Sequence, residues 1–228
     1  MGFGDFAEGA GRALLGILET RGLRDGLVYD LGCGDGRWAR RLVEAGYDVV
    51  GADLSAAMIR RAREAVAEGD FRLASLWEIA LDACQAVTIL GEGLGYAAAG
   101  DPSETRLKGF FQRLFDKLQP AGLLAFDVIV AGPDHPMQYR DWRAGDDWAI
   151  LTEVNEDPAR HRLTRSMTIF RRIGESYRRS QERHAVSVLE EEKLVRLLEE
   201  TGFEVEVASR YGDFDLAPRR RAFLATKS

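Results

Sequence analysis

"LVYDLGCGDGRWARRL", residues 27–42, decides how the chain reads. An apolar run, "LVYDL", is followed by Gly32, Gly34 and Gly36, and then by an amphipathic run. That order predicts a buried strand, a tight turn and a helix. Glycine adopts positive φ without strain and lets another molecule approach the backbone. The free N–H groups that open the helix favour an anionic or polar ligand. An acid, Asp30, stands just ahead of the turn, where it can order the loop through backbone N–H groups.

Outward from this stretch the pattern repeats. A first helix, with Leu14, Leu15, Ile17 and Leu18 on one face, precedes it and ends near Gly22. After it come the helix "RWARRLVEAG" and the apolar strand "DVVGADL". Ser55 caps the next helix, "SAAMIRRAREAVAEG", whose stop is Gly69. "FRLASL" and "AVTIL" read as short strands, and "SETRLKGFFQRLFDKL" as an amphipathic helix capped by Ser103 and stopped by Pro120. "GLLAFDVIV" is a further strand. Strands alternating with helices imply βαβ units, hence a doubly wound, mostly parallel α/β sheet covered on both faces. The pattern then changes. "WAILTEV", "HRLTRSMTIFRR" and "ESYRRSQERHAVSVL" alternate in polarity between polar turns and predict a three-stranded antiparallel meander. The helix "EEEKLVRLLEETG" and the strands "FEVEVASRY" and "RAFLATK" return to the first pattern. The expected organisation is a core of residues 1–136 and 189–228, carrying an antiparallel β insertion over residues 137–188.

Composition narrows the function. At 228 residues, 46% hydrophobic and 30% charged, the chain is long enough to bury a full core. Its net charge of −6 gives no general attraction for phosphate backbones, so nucleic acid is not the expected partner. No stretch has the run of apolar residues a membrane span needs, and the start lacks the features of a signal peptide, which makes the cytoplasm the expected compartment. Cys33 and Cys84 read as reduced, buried thiols. The three histidines and two cysteines have no metal-ligand spacing.

The ligand of the glycine turn is narrowed by a second acid. Asp53 ends the next strand, where a carboxylate can accept both hydroxyls of a ribose. Loop and acid together describe a site for an adenosine-containing cofactor. A dinucleotide is disfavoured, because Arg37 stands where the third glycine of GxGxxG belongs.

The stretch "DLGCGDG" closely resembles the first motif, D-x-G-x-G-x-G, of the class I S-adenosylmethionine-dependent methyltransferases. "VVGADLSAAMIRRAR" resembles their second motif, which implies Asp53 on the ribose, Leu54 beside it and Met58 behind the adenine. "FRLASLWEIAL" stands where their adenine-binding segment does. Ser75 replaces a frequent aspartate there, so a main-chain contact at Leu76 is implied instead. "AVTILGEGLGYA" resembles the fourth strand and following loop, including Gly91, and "LFDKLQPAGLLAFDVI" the helix, turn and fifth strand. The resemblance covers about residues 25–130 and resumes over about 190–227. The meander resembles that of a small-molecule subgroup, including sugar-amine N-methyltransferases, in which such a sheet roofs the substrate. "GFGDF" reads as the remnant of a cofactor lid.

The resemblance implies S-adenosyl-L-methionine as cofactor, bound by Asp30, Gly32, Cys33, Gly34, Gly36, Asp53, Leu54, Met58, Ser75, Leu76 and Gly91. A methyl group would pass to an oxygen or nitrogen of a small molecule, and S-adenosyl-L-homocysteine would leave. Glu92, Tyr96 and His184 are the candidate catalytic groups. In a regular strand Glu182, His184 and Val186 share a face, which puts a polar pair over the substrate. Tyr139, Trp142 and Trp148 are the candidate substrate wall, or else packing between insertion and core. A non-catalytic S-adenosylmethionine-binding protein is the alternative reading.

Overall fold

The computed structural model describes residues 3–96, 98, 100–132 and 135–228. Met1 and Gly2, and with Gly2 the start of the expected lid, lie outside the described residues. Five helices are present among those described: α1 (Phe3–Thr20), α2 (Arg37–Glu44), α3 (Ala56–Ala65), α4 (Glu104–Lys117) and α5 (Glu191–Thr201). The core strands are β1 (Leu27–Leu31), β2 (Asp48–Asp53), β3 (Asp70–Leu73), β4 (Cys84–Ile89), β5 (Leu118–Ile129), β10 (Phe203–Ala208) and β13 (Arg220–Lys227). They form one sheet in the order β10-β13-β5-β4-β1-β2-β3. β13 is antiparallel to both its neighbours, and the pairs β5–β4, β4–β1, β1–β2 and β2–β3 are parallel. The expected mostly parallel α/β sheet with a reversed last strand is therefore present.

Two apolar layers cover this sheet. One joins Leu31, Ile89, Phe111, Phe126 and Phe223 to α4 and α5, and the other joins Val28, Leu42, Ile59 and Tyr211 to α1, α2 and α3. Because β1 pairs with β2 on one side and β4 on the other, the order reverses beside β1. Crevices open at the carboxyl ends of strands at such a reversal. The loops after β1 and β4 flank it.

The insertion forms its own sheet, β6 (Gln138–Ala144), β7 (Trp148–Asp157), β8 (Arg162–Ile173) and β9 (Ser176–Ser187), antiparallel throughout. It has four strands where the alternation predicts three. The additional strand, β6, is exposed along its whole length and leaves no burial signal in the sequence. Its base joins the core at the carboxyl edge. Val186 bridges to Tyr96 and Leu189 to Val130, over an apolar cluster of Ile129, Val154, Leu163, Val186 and Val188. The chain also adds a short hairpin, β11 (Arg210–Tyr211) with β12 (Phe214–Asp215), whose Phe214 ring packs edge-on against Phe6.

Two expected helix stops move. α3 ends at Ala65, because Val66 leaves helical geometry (φ −142°), and Gly69 instead gives room to the Phe71 ring. α4 ends at Lys117, before Pro120, which lies in β5 beside the left-handed Ala121 where the β4–β5 register shifts. The caps at Ser55 and Ser103 form as the sequence predicts, accepting from Met58 N (3.3 Å) and Arg106 N (3.4 Å).

Candidate active site

The three glycines of the β1 turn all have positive φ, but they do different work. A Cβ on Gly32 or Gly34 would meet no atom within 4 Å, so these two open onto empty space. A Cβ on Gly36 would stand 3.1 Å from Ala62 Cβ and 3.2 Å from its Cα. Gly36 therefore serves the close approach of the turn to α3, with its side-chain position facing packed protein. Gly91, after β4, also has positive φ and also opens onto space.

Asp53 holds this turn in shape. Its carboxylate accepts Gly34 N (3.0 Å) and Ser55 N (2.8 Å), tying the β1 loop to the start of α3. Gly32 N and Cys33 N donate to Ala52 O at 2.7 and 3.0 Å. Loop ordering by Asp30 is thus not found. Asp53 and the Ala52 carbonyl accept those N–H groups, because the strand-end acid of β2 lies nearer the turn than a side chain within β1.

Asp30 is buried, and one oxygen accepts the Thr88 hydroxyl at 3.4 Å. Its other oxygen, Oδ2, has no partner within the protein. Burial pushes its carboxyl up to about 7, only partly offset by the Thr88 hydroxyl. A buried carboxylate oxygen without a donor is a vacancy for one. Cys33 packs its sulfur beneath Gly51, and burial raises its thiol far above the ordinary range, which fits a filler and excludes a nucleophile. Met58 is half-buried, Leu54 exposed and Leu76 buried. The Leu76 carbonyl already accepts Arg113 Nη2 at 3.0 Å, and Ser75 Oγ accepts Trp77 N at 3.3 Å.

Glu92 is buried, at 2% exposure, and its backbone is left-handed (φ 70°). Its carboxylate meets Arg220 Nη2 and, at 3.3 Å, Arg165 Nη2 from β8. Asp127 completes the cluster. It accepts Gly91 N (2.9 Å) and Glu92 N (3.2 Å), and stands 3.3 Å from Arg220 Nε. Burial pushes Asp127 up to about 6 against the pull of Arg220. The carboxylate oxygens are thus engaged in charge-assisted hydrogen bonds to two guanidiniums. Glu92, expected as a catalytic group, thereby ties the β4 loop to the insertion and to β13.

Removing one partner of such a buried cluster strands a charge. Arg220→Met should therefore lower stability in urea unfolding by about 3 kcal/mol, although methionine matches much of the arginine's bulk. An unchanged midpoint would show that the cluster contributes nothing net.

Tyr96 and His184 are brought together across the junction. Tyr96 Oη meets His184 Nδ1, with the rings edge-on at 5.6 Å, and His184 Nε2 lies 3.1 Å from Glu182 Oε2. Burial pushes the Tyr96 phenol up to about 12. The aromatic wall is not assembled. Directly paired residues share a face, which puts Tyr139, Val154, Arg165 and His184 in one row. Trp142 lies on the opposite face at 71% exposure. Trp148 is six residues along β7 from that row, ~20 Å away. Neither tryptophan belongs to the apolar cluster at the base of the insertion. Asp127, Arg165 and Arg220 were not singled out from the sequence. The one signal for Asp127 was a lone acid within the apolar run of β5.

A doubly wound sheet with β13 reversed, a glycine turn after β1 and an acid ending β2 define the class I methyltransferase architecture. Residues 28–122 match the family described as "Methyltransferase domain". Those residues are similar to a methyltransferase domain, and the fold is similar to that of an S-adenosylmethionine-dependent methyltransferase from Clostridium acetobutylicum, with a TM-score of 0.79 at 16% identity, over 97% of this chain and 92% of that one. Among curated relatives, the chain is 29% identical to the putative methyltransferase YqeM of Bacillus subtilis, over 79% of this chain and 74% of that one. Its fold is similar to that of DesVI from Streptomyces venezuelae, with a TM-score of 0.80 at 14% identity, covering 99% of this chain and 93% of that one. It is similar also to S-adenosylmethionine-bound CalS10 from Micromonospora echinaspora, an amino pentose methyltransferase. There the TM-score is 0.77 at 15% identity, over 98% of this chain and 91% of that one.

Proposed function

We propose that this protein transfers a methyl group from S-adenosyl-L-methionine to an oxygen or nitrogen of a small molecule. The observation that carries the reading is the crevice at the carboxyl end of β1. Two positive-φ glycines open onto space, a carboxylate stands at the lip, and a buried Asp30 oxygen lacks a donor. These residues fit the cofactor. Each Asp53 oxygen has a remaining lone pair for a ribose hydroxyl, Asp30 Oδ2 suits an ammonium, and Gly32, Gly34 and Gly91 leave room for the chain between them. Met58 and Leu76 supply apolar surface for the adenine. When bound, the cofactor supplies an electrophilic sulfonium methyl, and the protein's part is to align donor and acceptor and exclude water.

The insertion meets the core at the same edge, beside the β4 loop, and we read it as the roof of the acceptor site. The amino pentose methyltransferase with a similar fold makes an amino sugar one reasonable acceptor class. Titration calorimetry with S-adenosylmethionine, followed by a methyl-transfer screen over amino sugars, small acids, amines and phenols, tests the reading. Binding with turnover on one class supports it. Binding without turnover on any would favour a cofactor-binding protein that does not catalyse.

Asp53→Ala should weaken S-adenosylmethionine binding by about 1.5–3 kcal/mol, since charge-assisted hydrogen bonds are lost. The loss includes loosening of the Gly34 turn. Calorimetry that finds wild-type affinity would remove Asp53 from the site.

A further inference from the structure

We infer that Tyr96, His184 and Glu182 form a proton relay that takes a proton from the methyl acceptor, with Tyr96 as the group that touches it. The inference rests on the methyl-transfer reading above. The relay joins two segments far apart in sequence, the loop after β4 and strand β9, at the junction where insertion meets core. Its hydrogen bonds have one consistent direction. The Tyr96 hydroxyl donates to His184 Nδ1, and His184 Nε2–H then donates to Glu182. A neutral imidazole carries a single N–H, so the carboxylate on one side selects the tautomer whose other nitrogen is a base.

The groups facing the relay support this direction. Arg165 is the β8 partner of His184, but its guanidinium reaches Glu92, which balances it. Glu92, Glu182 and Asp53 are the acids that act on the Tyr96 phenol, and Arg165 is the cation. Tyr96 is half-buried, whereas the Glu182 side chain is half exposed, so the relay runs from the insertion–core junction to solvent.

The proton balance is simple. The acceptor's O–H or N–H bond breaks as its proton goes to Tyr96 Oη. The Tyr96 hydroxyl proton goes to His184 Nδ1, and the electron pair left on the acceptor is free to form the new bond to carbon. His184 becomes an imidazolium, held by Glu182, and returns its extra proton to water. The acceptor class is thereby restricted to nucleophiles that carry a removable proton, an ammonium or a hydroxyl. Tyr96 is the catalytic residue, and His184 and Glu182 position and charge-balance it.

The test begins on the S-adenosylhomocysteine complex, so cofactor affinity is measured in the same samples. Long-range proton–nitrogen NMR should find His184 as the Nε2–H tautomer at neutral pH. Glu182→Gln should weaken this preference and let the Nδ1–H tautomer appear, because the carboxylate that accepts from Nε2–H is lost. An Nδ1–H tautomer in the wild-type chain, or a tautomer unaffected by Glu182→Gln, overturns the relay. On the acceptor converted in the screen, Tyr96→Phe and His184→Gln should each lower kcat by about 10²-fold or more. S-adenosylmethionine affinity should stay within about twofold. Variants that keep kcat within about threefold overturn the relay while leaving the methyl-transfer reading intact. Failure of the wild-type chain to bind S-adenosylmethionine would instead overturn that reading, and the relay with it.

Discussion

Gly34→Val should abolish measurable binding of S-adenosylmethionine and S-adenosylhomocysteine in a chain that remains folded. Gly34 has a φ of +55°, and its missing side chain points to where no protein atom lies within 4 Å. A β-carbon there would meet no protein atom within 4 Å. A valine would place two methyl groups in the space assigned to the cofactor and hold a β-branched residue in a left-handed conformation, at a cost of about 1–3 kcal/mol. That strain would fall on the turn, whose Gly34 N–H is held by Asp53. Calorimetry should register a loss of at least about 100-fold, equivalent to ~2.7 kcal/mol. A cooperative thermal transition would verify the fold. Binding near wild-type affinity would exclude this turn as the cradle.

Asp30→Asn should separate stability from binding. Burial holds the Asp30 carboxyl near 7 in the folded chain against an ordinary 3.8. Between those values the folded protein keeps a proton that the unfolded chain has released. Its contribution to stability is therefore greatest at low pH and falls as pH rises through about 4 to 7, by up to about 4 kcal/mol for one fully buried group. The amide cannot ionise. The variant should melt several degrees above wild type at pH 8, and the two should converge as the pH falls to about 4. Cofactor affinity should move the other way. An amide offers no charge to an ammonium, and the affinity of Asp30→Asn should lose the rise that wild type gains from pH 6 to pH 8. Equal melting temperatures at pH 8 would mean that Asp30 is not a destabilising buried carboxylate. Unchanged affinity would free the Oδ2 vacancy of any part in binding.

The mostly parallel sheet was legible because its strands are apolar on both faces and its helices on one, a periodicity local to each segment. The glycine turn was legible for the same reason, since positive φ is written in residue type. Those features need only neighbours in sequence. The Ser55 and Ser103 caps belong with them, each formed within three residues. The shared face of Glu182 and His184 also followed from strand alternation alone.

What depended on distant partners was not legible. Asp30 and Asp53 look equivalent as strand-end acids, yet only the fold assigns Asp53 to the Gly34 amide and leaves Asp30 Oδ2 bare. Gly32, Gly34 and Gly36 are the same residue, and only the packing of α3 separates the one facing Ala62 from the two facing space. Only the fold brings Arg165 and Arg220 to Glu92, from strands far along the chain. Trp142 and Trp148 look like a wall until strand pairing sets them on opposite faces. Local conformation is a property of each residue and its neighbours, so the sequence determined the architecture and the place of the crevice. Charge balance, burial and free lone pairs depend on what tertiary packing brings within a few ångströms, so the structure alone decided which side chains remain able to act.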